Sequence, residues 1–179
     1  NKLIGVIPPM ITPFDINGEV DEVSLINITE FLQNYVHGLF ICGTYGSGPL
    51  MDTEQRKRVA EIVSKQINKK LSLIVHVGAA NTNTAINLAK HAESIGATHI
   101  SSVPPFYYNH DSERIMNYFE SLVNSVNIPV YVYNNPKTVG YGISSELLNT
   151  LANIGRGVMS ASGDWWQNAY FTNNLIINA

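Results

Sequence analysis

The chain has 179 residues, 45% of them hydrophobic and 14% charged, with a formal net charge of -3. That is enough sequence for one domain with a real core, and the weak negative balance makes no electrostatic case for nucleic acid or an anionic membrane as partner. A single cysteine, Cys42, allows no intrachain disulfide, and neither a signal peptide nor an apolar run near the roughly 18 residues of a membrane span is present, so a cytoplasmic location is expected.

Short apolar runs alternate with longer stretches of helical periodicity. Residues 5–12, GVIPPMIT, read as a first strand, with prolines that suit a strand end better than a strand centre. Residues 24–36 follow as a helix, and Leu25, Ile28, Phe31, Leu32 and Tyr35 are spaced to share one face. GLFICG is the second strand. The next helix spans residues 53–67, with Thr53 as its cap and Val59, Ile62, Val63 and Gln66 along one side. LSLIVHVG is the third strand, and its helix, residues 81–96, ends on a glycine. THISSV and residues 112–126 make the fourth pair, and PVYVYN and residues 144–155 the fifth; GVMS is a sixth strand.

Near-continuous apolar strands joined by helices imply a parallel sheet covered on both faces. An open doubly wound sheet and a (β/α)8 barrel both satisfy that pattern. The first strand-to-helix junction lacks the G-x-G-x-x-G of a dinucleotide fold. The even rhythm suits a barrel, but eight units take about 250 residues and at least about 200, so only about six βα units fit.

In either architecture functional groups collect at the carboxyl ends of the strands. After the second strand stands GTYGSGP, whose glycines let the backbone turn tightly and present N–H groups to an anion, while Thr44 adds a hydroxyl. A plain glycine turn would read the same way, and the Gly-Lys-Ser/Thr of a Walker loop is absent. Tyr107 and Tyr108 follow the fourth strand, and Tyr133 ends the fifth. A phenol both donates and accepts, so these tyrosines could relay protons, although tyrosines at strand ends also serve packing alone. Asn134-Asn135-Pro136 reads as a turn. The five histidines are scattered, with no H-E-x-x-H, so metal ligation is not expected, and no G-x-S-x-G elbow supports serine hydrolase chemistry.

Four stretches taken together, GVIPPMITPF, GTYGSGP, YNNPKTVG and GVMSASGD, resemble one family in the right order across residues 5–164. It is the dihydrodipicolinate synthase and N-acetylneuraminate lyase group of pyruvate-dependent class I aldolases. GTYGSGPLM and YNNPKTVGYGIS look most like its 2-keto-3-deoxygluconate aldolase branch. The resemblance implies a TIM barrel, commonly a homotetramer, in which a lysine on the sixth strand attacks the keto carbon of pyruvate or a related 2-oxo acid. The resulting Schiff base is an electron sink for aldol cleavage or condensation, and no metal or organic cofactor is needed. By motif position Tyr133 shuttles the proton and Thr44 hydrogen-bonds it. N–H groups around Thr44, Tyr45 and Gly46 hold the substrate. Tyr107 matches a tyrosine that the synthase branch contributes across a subunit interface.

Three departures bear on function. Where the family's loop commonly reads G-T-T-G-E, this chain has Tyr45 and Ser47. The arginine usual after Y-N-x-P in the synthase branch is missing from Lys137-Thr138-Val139-Gly140, which argues against aspartate semialdehyde as substrate. Aligning GVMSASG on the family's sixth strand puts Met159 on the Schiff-base lysine, and a thioether carries no amine; Lys137 is the nearest amine in sequence. Beyond Asp164 the Asn-rich ending breaks the rhythm, so the expected organisation is a barrel part over residues 1–164 and an atypical segment over 165–179. Two functions fit: a Schiff-base aldolase or lyase of 2-oxo acids, or a catalytically inactive truncated relative that binds 2-oxo acids or associates with full-length subunits. An open-sheet binding module that merely shares loop patterns is the third reading.

Overall fold

The computed structural model describes residues 3–154 and 157–160, with side chains up to Leu151. Five strands, β1 (Gly38–Ile41), β2 (Ser72–His76), β3 (His99–Ser102), β4 (Val130–Asn134) and β5 (Gly157–Ser160), pair in parallel and in chain order. Helix α1 (Glu22–Leu32) precedes β1; α2 (Thr53–Gln66), α3 (Thr82–Ser94) and α4 (Ser112–Val123) fill the first three crossovers. Two helices, α5 (Pro136–Val139) and α6 (Ser145–Ile154), share the fourth. Strand order that never reverses is the order of a barrel wall; a doubly wound sheet reverses at its switch point. Residues 161–179, which hold the loop after the sixth predicted strand and the atypical ending, lie outside the described residues.

Alternation along each strand explains why the apolar runs are unbroken. Leu39, Ile41, Leu73, Val75, Ile100, Val130 and Val132 belong to the core beneath the helices. Phe40, Ile74 and Tyr133, with Leu3, Val103 and Val139, form a second cluster on the opposite, interior face. Both faces are buried, so both sets are apolar or aromatic.

The first predicted strand is reduced to one bridge, Pro9 to Phe40. The segment does run beside β1: His37 N–H donates to Val6 O (2.8 Å), Phe40 N–H to Pro8 O (3.1 Å), and Met10 N–H to Phe40 O (2.8 Å). Pro8 and Pro9 have no N–H to extend the ladder. The first helix also stops earlier than its spacing suggested, at Leu32. Phe31 and Tyr35, placed on the buried face by that spacing, are 63% and 71% exposed. Asn135-Pro136 does not form a simple turn; Pro136 opens the one-turn helix α5, closed by Gly140 at φ 91°.

Thr53 is the first helical residue of α2, and the cap is its neighbour Asp52. The Asp52 carboxylate accepts from Gln55 N–H (2.8 Å) while Asp52 N–H donates to Gln55 Oε1 (3.3 Å), a reciprocal capping box. Asp52→Ala is expected to cost about 1 kcal/mol, read as a drop of roughly 2–4 °C in Tm by circular dichroism.

Candidate active site

The loop after β1 is wound by its backbone. Cys42 and Ser47 take left-handed φ values of 58° and 54°. A Cβ on Gly48 would stand 1.7 Å from the Cys42 carbonyl oxygen, and one on Gly46 would stand 2.9 Å from Met10 O. Only glycine allows that closeness. Ser47 N–H donates to Thr44 O (3.2 Å) and Gly48 N–H to Gly43 O (3.0 Å), while the Thr12 hydroxyl donates to Gly46 O (2.7 Å). The loop therefore holds Thr44 at a fixed place above the strand ends.

Tyr133 meets it there. Asn135 Nδ2 donates to Tyr133 Oη (3.2 Å) and to Thr44 Oγ1 (3.3 Å), so one amide joins the two predicted residues, reaching Thr44 across 91 positions of sequence. Tyr133 is fully buried, with the rings of Phe40 and His76 edge-on to it at 5.8 and 5.9 Å. Burial pushes its phenol up to about 12, against the hydrogen bonds from Thr44 and Asn135 that favour the phenolate. At neutral pH Tyr133 is a protonated donor in an apolar cage.

Beside this group lies a cavity of about 260 Å³, walled by Thr44, Ser47, His76, Val103, Thr138 and Val139 among others. Among the described residues lining it none is a carboxylate, so none of them carries a charge that repels an anion. Phe106 lines it too, whereas Tyr107 is 84% exposed at φ 88° and sets its ring edge-on to Tyr108 at 4.9 Å. Tyr45 is also exposed, and Lys137 lies exposed on α5. Met159 is the register partner of Tyr133 in the β4–β5 pair, which puts position 159 on the same face of the sheet, one strand away.

Three residues that sequence reasoning passed over complete the surroundings. Asn135 was read as part of a turn; its position between Tyr133 and a proline was the only clue. His76 ends β2, and its Nε2 accepts from Val103 N–H (3.3 Å). Arg56, buried on α2, donates to His76 O (2.6 Å) and Gly78 O (3.0 Å), pinning the chain where β2 ends. A basic residue at the spacing of Val59 and Val63 was its visible signal. Among the described residues no group of three or more His, Cys, Asp or Glu could hold a metal ion, and no helix is long and apolar enough to cross a membrane.

The model of the dihydrodipicolinate synthetase family matches residues 2–174. The 4-hydroxy-tetrahydrodipicolinate synthase of Desulfotalea psychrophila is 36% identical over 165 residues, which are 90% of this chain and 55% of that protein. An Escherichia coli K12 prophage protein of the dihydrodipicolinic acid synthase family, solved in complex with pyruvate, superposes with a TM-score of 0.82 at 28% identity, covering 89% of this chain and 55% of that one. A catalytic lysine mutant of the Ruminococcus gnavus sialic acid aldolase gives a TM-score of 0.84 at 28% identity, covering 89% and 53%. The chain spans about half the length of the curated relatives it matches.

Proposed function

Because the chain belongs to the dihydrodipicolinate synthetase family, whose fold is the TIM barrel, we propose that its cavity holds a small 2-oxo acid such as pyruvate. The observation that carries this reading is Thr44, which lines a cavity of about 260 Å³ with no carboxylate among its described lining residues and is tied through the Asn135 amide to the buried Tyr133 hydroxyl. The backbone around Thr44, Tyr45 and Gly46 faces the carboxylate, and the neutral Tyr133 phenol donates to the keto oxygen. Asn135 keeps the Tyr133 and Thr44 hydroxyls together, so a proton given up by one can be drawn from the other.

The family's Schiff-base chemistry needs an amine on the sixth strand, and this chain has Met159 in that strand's register with Tyr133. Lys137 is exposed on another element, so it does not replace it. The reading we favour is therefore a 2-oxo acid binding site that orients its ligand without activating it covalently. In the homotetramer that the resemblance implies, exposed Tyr107 serves a neighbouring subunit rather than its own.

Calorimetric titration of the full chain with pyruvate tests this directly. Binding with a millimolar Kd is expected, weakened about fivefold by Tyr133→Phe through loss of one hydrogen bond. Absence of heat at millimolar pyruvate would overturn the proposal.

A further inference from the structure

We infer that the cavity takes a 2-oxo acid with a branched aliphatic tail, in preference to pyruvate or to a hydroxylated acid of similar length. The inference rests on the 2-oxo acid reading above and names the rest of the ligand. Among the described lining residues, side-chain groups suited to the acid end come from one loop, the turn after β1. Thr44 is joined there to Tyr133 through Asn135. Ser47, at φ 54°, precedes the short turn Gly48–Leu50 and makes no side-chain capping bond to it. The other two polar lining residues are tied to backbone: His76 Nε2 accepts from Val103 N–H (3.3 Å), and the Thr138 hydroxyl donates to Asn135 O (3.3 Å).

The rest of the described wall is apolar. Pro49, Leu50, Val103, Phe106 and Val139 supply it, from the loops after β1 and β3 and from α5. Val103 and Val139 are buried in the interior cluster that holds Tyr133, and Phe106 packs against that cluster. Leu50 is 87% exposed. The apolar lining therefore continues from the cluster around Tyr133 out to a leucine that meets water.

Size and solvation choose the tail. At roughly 30 Å³ for each water-sized group, a cavity of about 260 Å³ has room for about nine such groups, more than pyruvate supplies. A methylene moved from water onto an apolar wall gains affinity by about threefold to fourfold. A hydroxyl moved there gives up its water and finds no partner on Val103, Phe106 or Val139, which costs affinity. The branched acid 4-methyl-2-oxopentanoate fits both conditions: its acid end meets Thr44 and Ser47, and its tail lies against the apolar residues.

The test is calorimetric titration of the full 179-residue chain with a series of acids. Relative to pyruvate, 4-methyl-2-oxopentanoate is expected to bind at least about tenfold tighter, and 4,5-dihydroxy-2-oxopentanoate no tighter. Leu50→Ser, at an exposed position, should lower that gain to about fivefold, and Phe106→Ser to about threefold. Equal affinities for pyruvate and the branched acid overturn this inference and leave the 2-oxo acid reading standing. So does tighter binding of the dihydroxylated acid than of the branched one. A gain undiminished in both variants puts the tail elsewhere and overturns it too. The reading beneath it has its own control in 4-methylpentanoate, which keeps the tail and lacks the keto oxygen. That acid should bind about fivefold more weakly than its 2-oxo counterpart. Equal binding of those two would overturn the 2-oxo acid reading, and this inference with it.

Discussion

Borohydride reduction in the presence of pyruvate is expected to leave the mass of this chain unchanged and to add a covalent adduct to its Met159→Lys variant. The lysine amine would attack the keto carbon, water would leave, and hydride would reduce the resulting iminium to a stable secondary amine. Register is the reason to expect it, because position 159 pairs with Tyr133 and so starts one strand from the phenol that donates to the leaving oxygen. The interior face there is apolar, which depresses a lysine pKa and supplies the neutral nucleophile. The Ruminococcus aldolase with its catalytic lysine replaced superposes on this chain at a TM-score of 0.84, so loss of that amine is compatible with the fold. Combining Met159→Lys with Tyr133→Phe should slow adduct formation by roughly 100-fold, the usual scale for removing a positioned proton donor. A folded Met159→Lys variant with no adduct would show that this position does not face the ligand. An adduct on the unaltered chain would point to another lysine.

The alternation of strands and helices was legible because both faces of each strand are buried, leaving uninterrupted apolar runs such as LFI and LIV between helical periods. The family was legible from four short stretches, two of which, GTYGSGP and YNNPKTVG, lie at strand ends where backbone geometry restricts the residue. Gly46 and Gly48 are examples, each with carbonyl or backbone atoms where a Cβ would stand. The first strand misled because its apolar pattern is that of a barrel strand, yet Pro8 and Pro9 withhold the donors that would register it as one. Phe31 and Tyr35 misled for a different reason: their spacing is correct for a buried stripe, and the flank they line has no covering helix among the described residues. Thr44 and Tyr133 were each visible in the sequence, but the amide that joins them was not. Asn135 acts through a contact 91 residues away, which no local pattern encodes.

The stability of the chain is expected to fall by about 2 kcal/mol between pH 7.5 and pH 5 because of one buried side chain, His76. Its imidazole is enclosed by Phe40 and Tyr133, and Arg56 reaches its own carbonyl. Burial pushes it down to about 3, the Arg56 charge adds to the effect, and only the Cys42 backbone opposes it. Folded His76 thus stays neutral down to about pH 3, while in the unfolded chain it takes a proton near its ordinary value of about 6.5. Above about pH 6.5 neither state is protonated and the full stability is present. Below it only the unfolded state gains the proton, so stability is lost by about 1.4 kcal/mol per pH unit until the folded value is reached. His76→Gln keeps an oxygen that can accept from Val103 N–H and removes the titration. Urea unfolding at pH 7.5 and pH 5 should therefore show a loss of about 2 kcal/mol for the natural chain and a nearly flat response for the variant. The lowered carboxylates Asp15, Asp21, Glu22 and Glu61 do not confuse the comparison, because they titrate at lower pH and are present in both proteins. Equal losses in the two proteins would mean that His76 is open to water, and that the interior beside Tyr133 is not the dry cage the proposed donor requires.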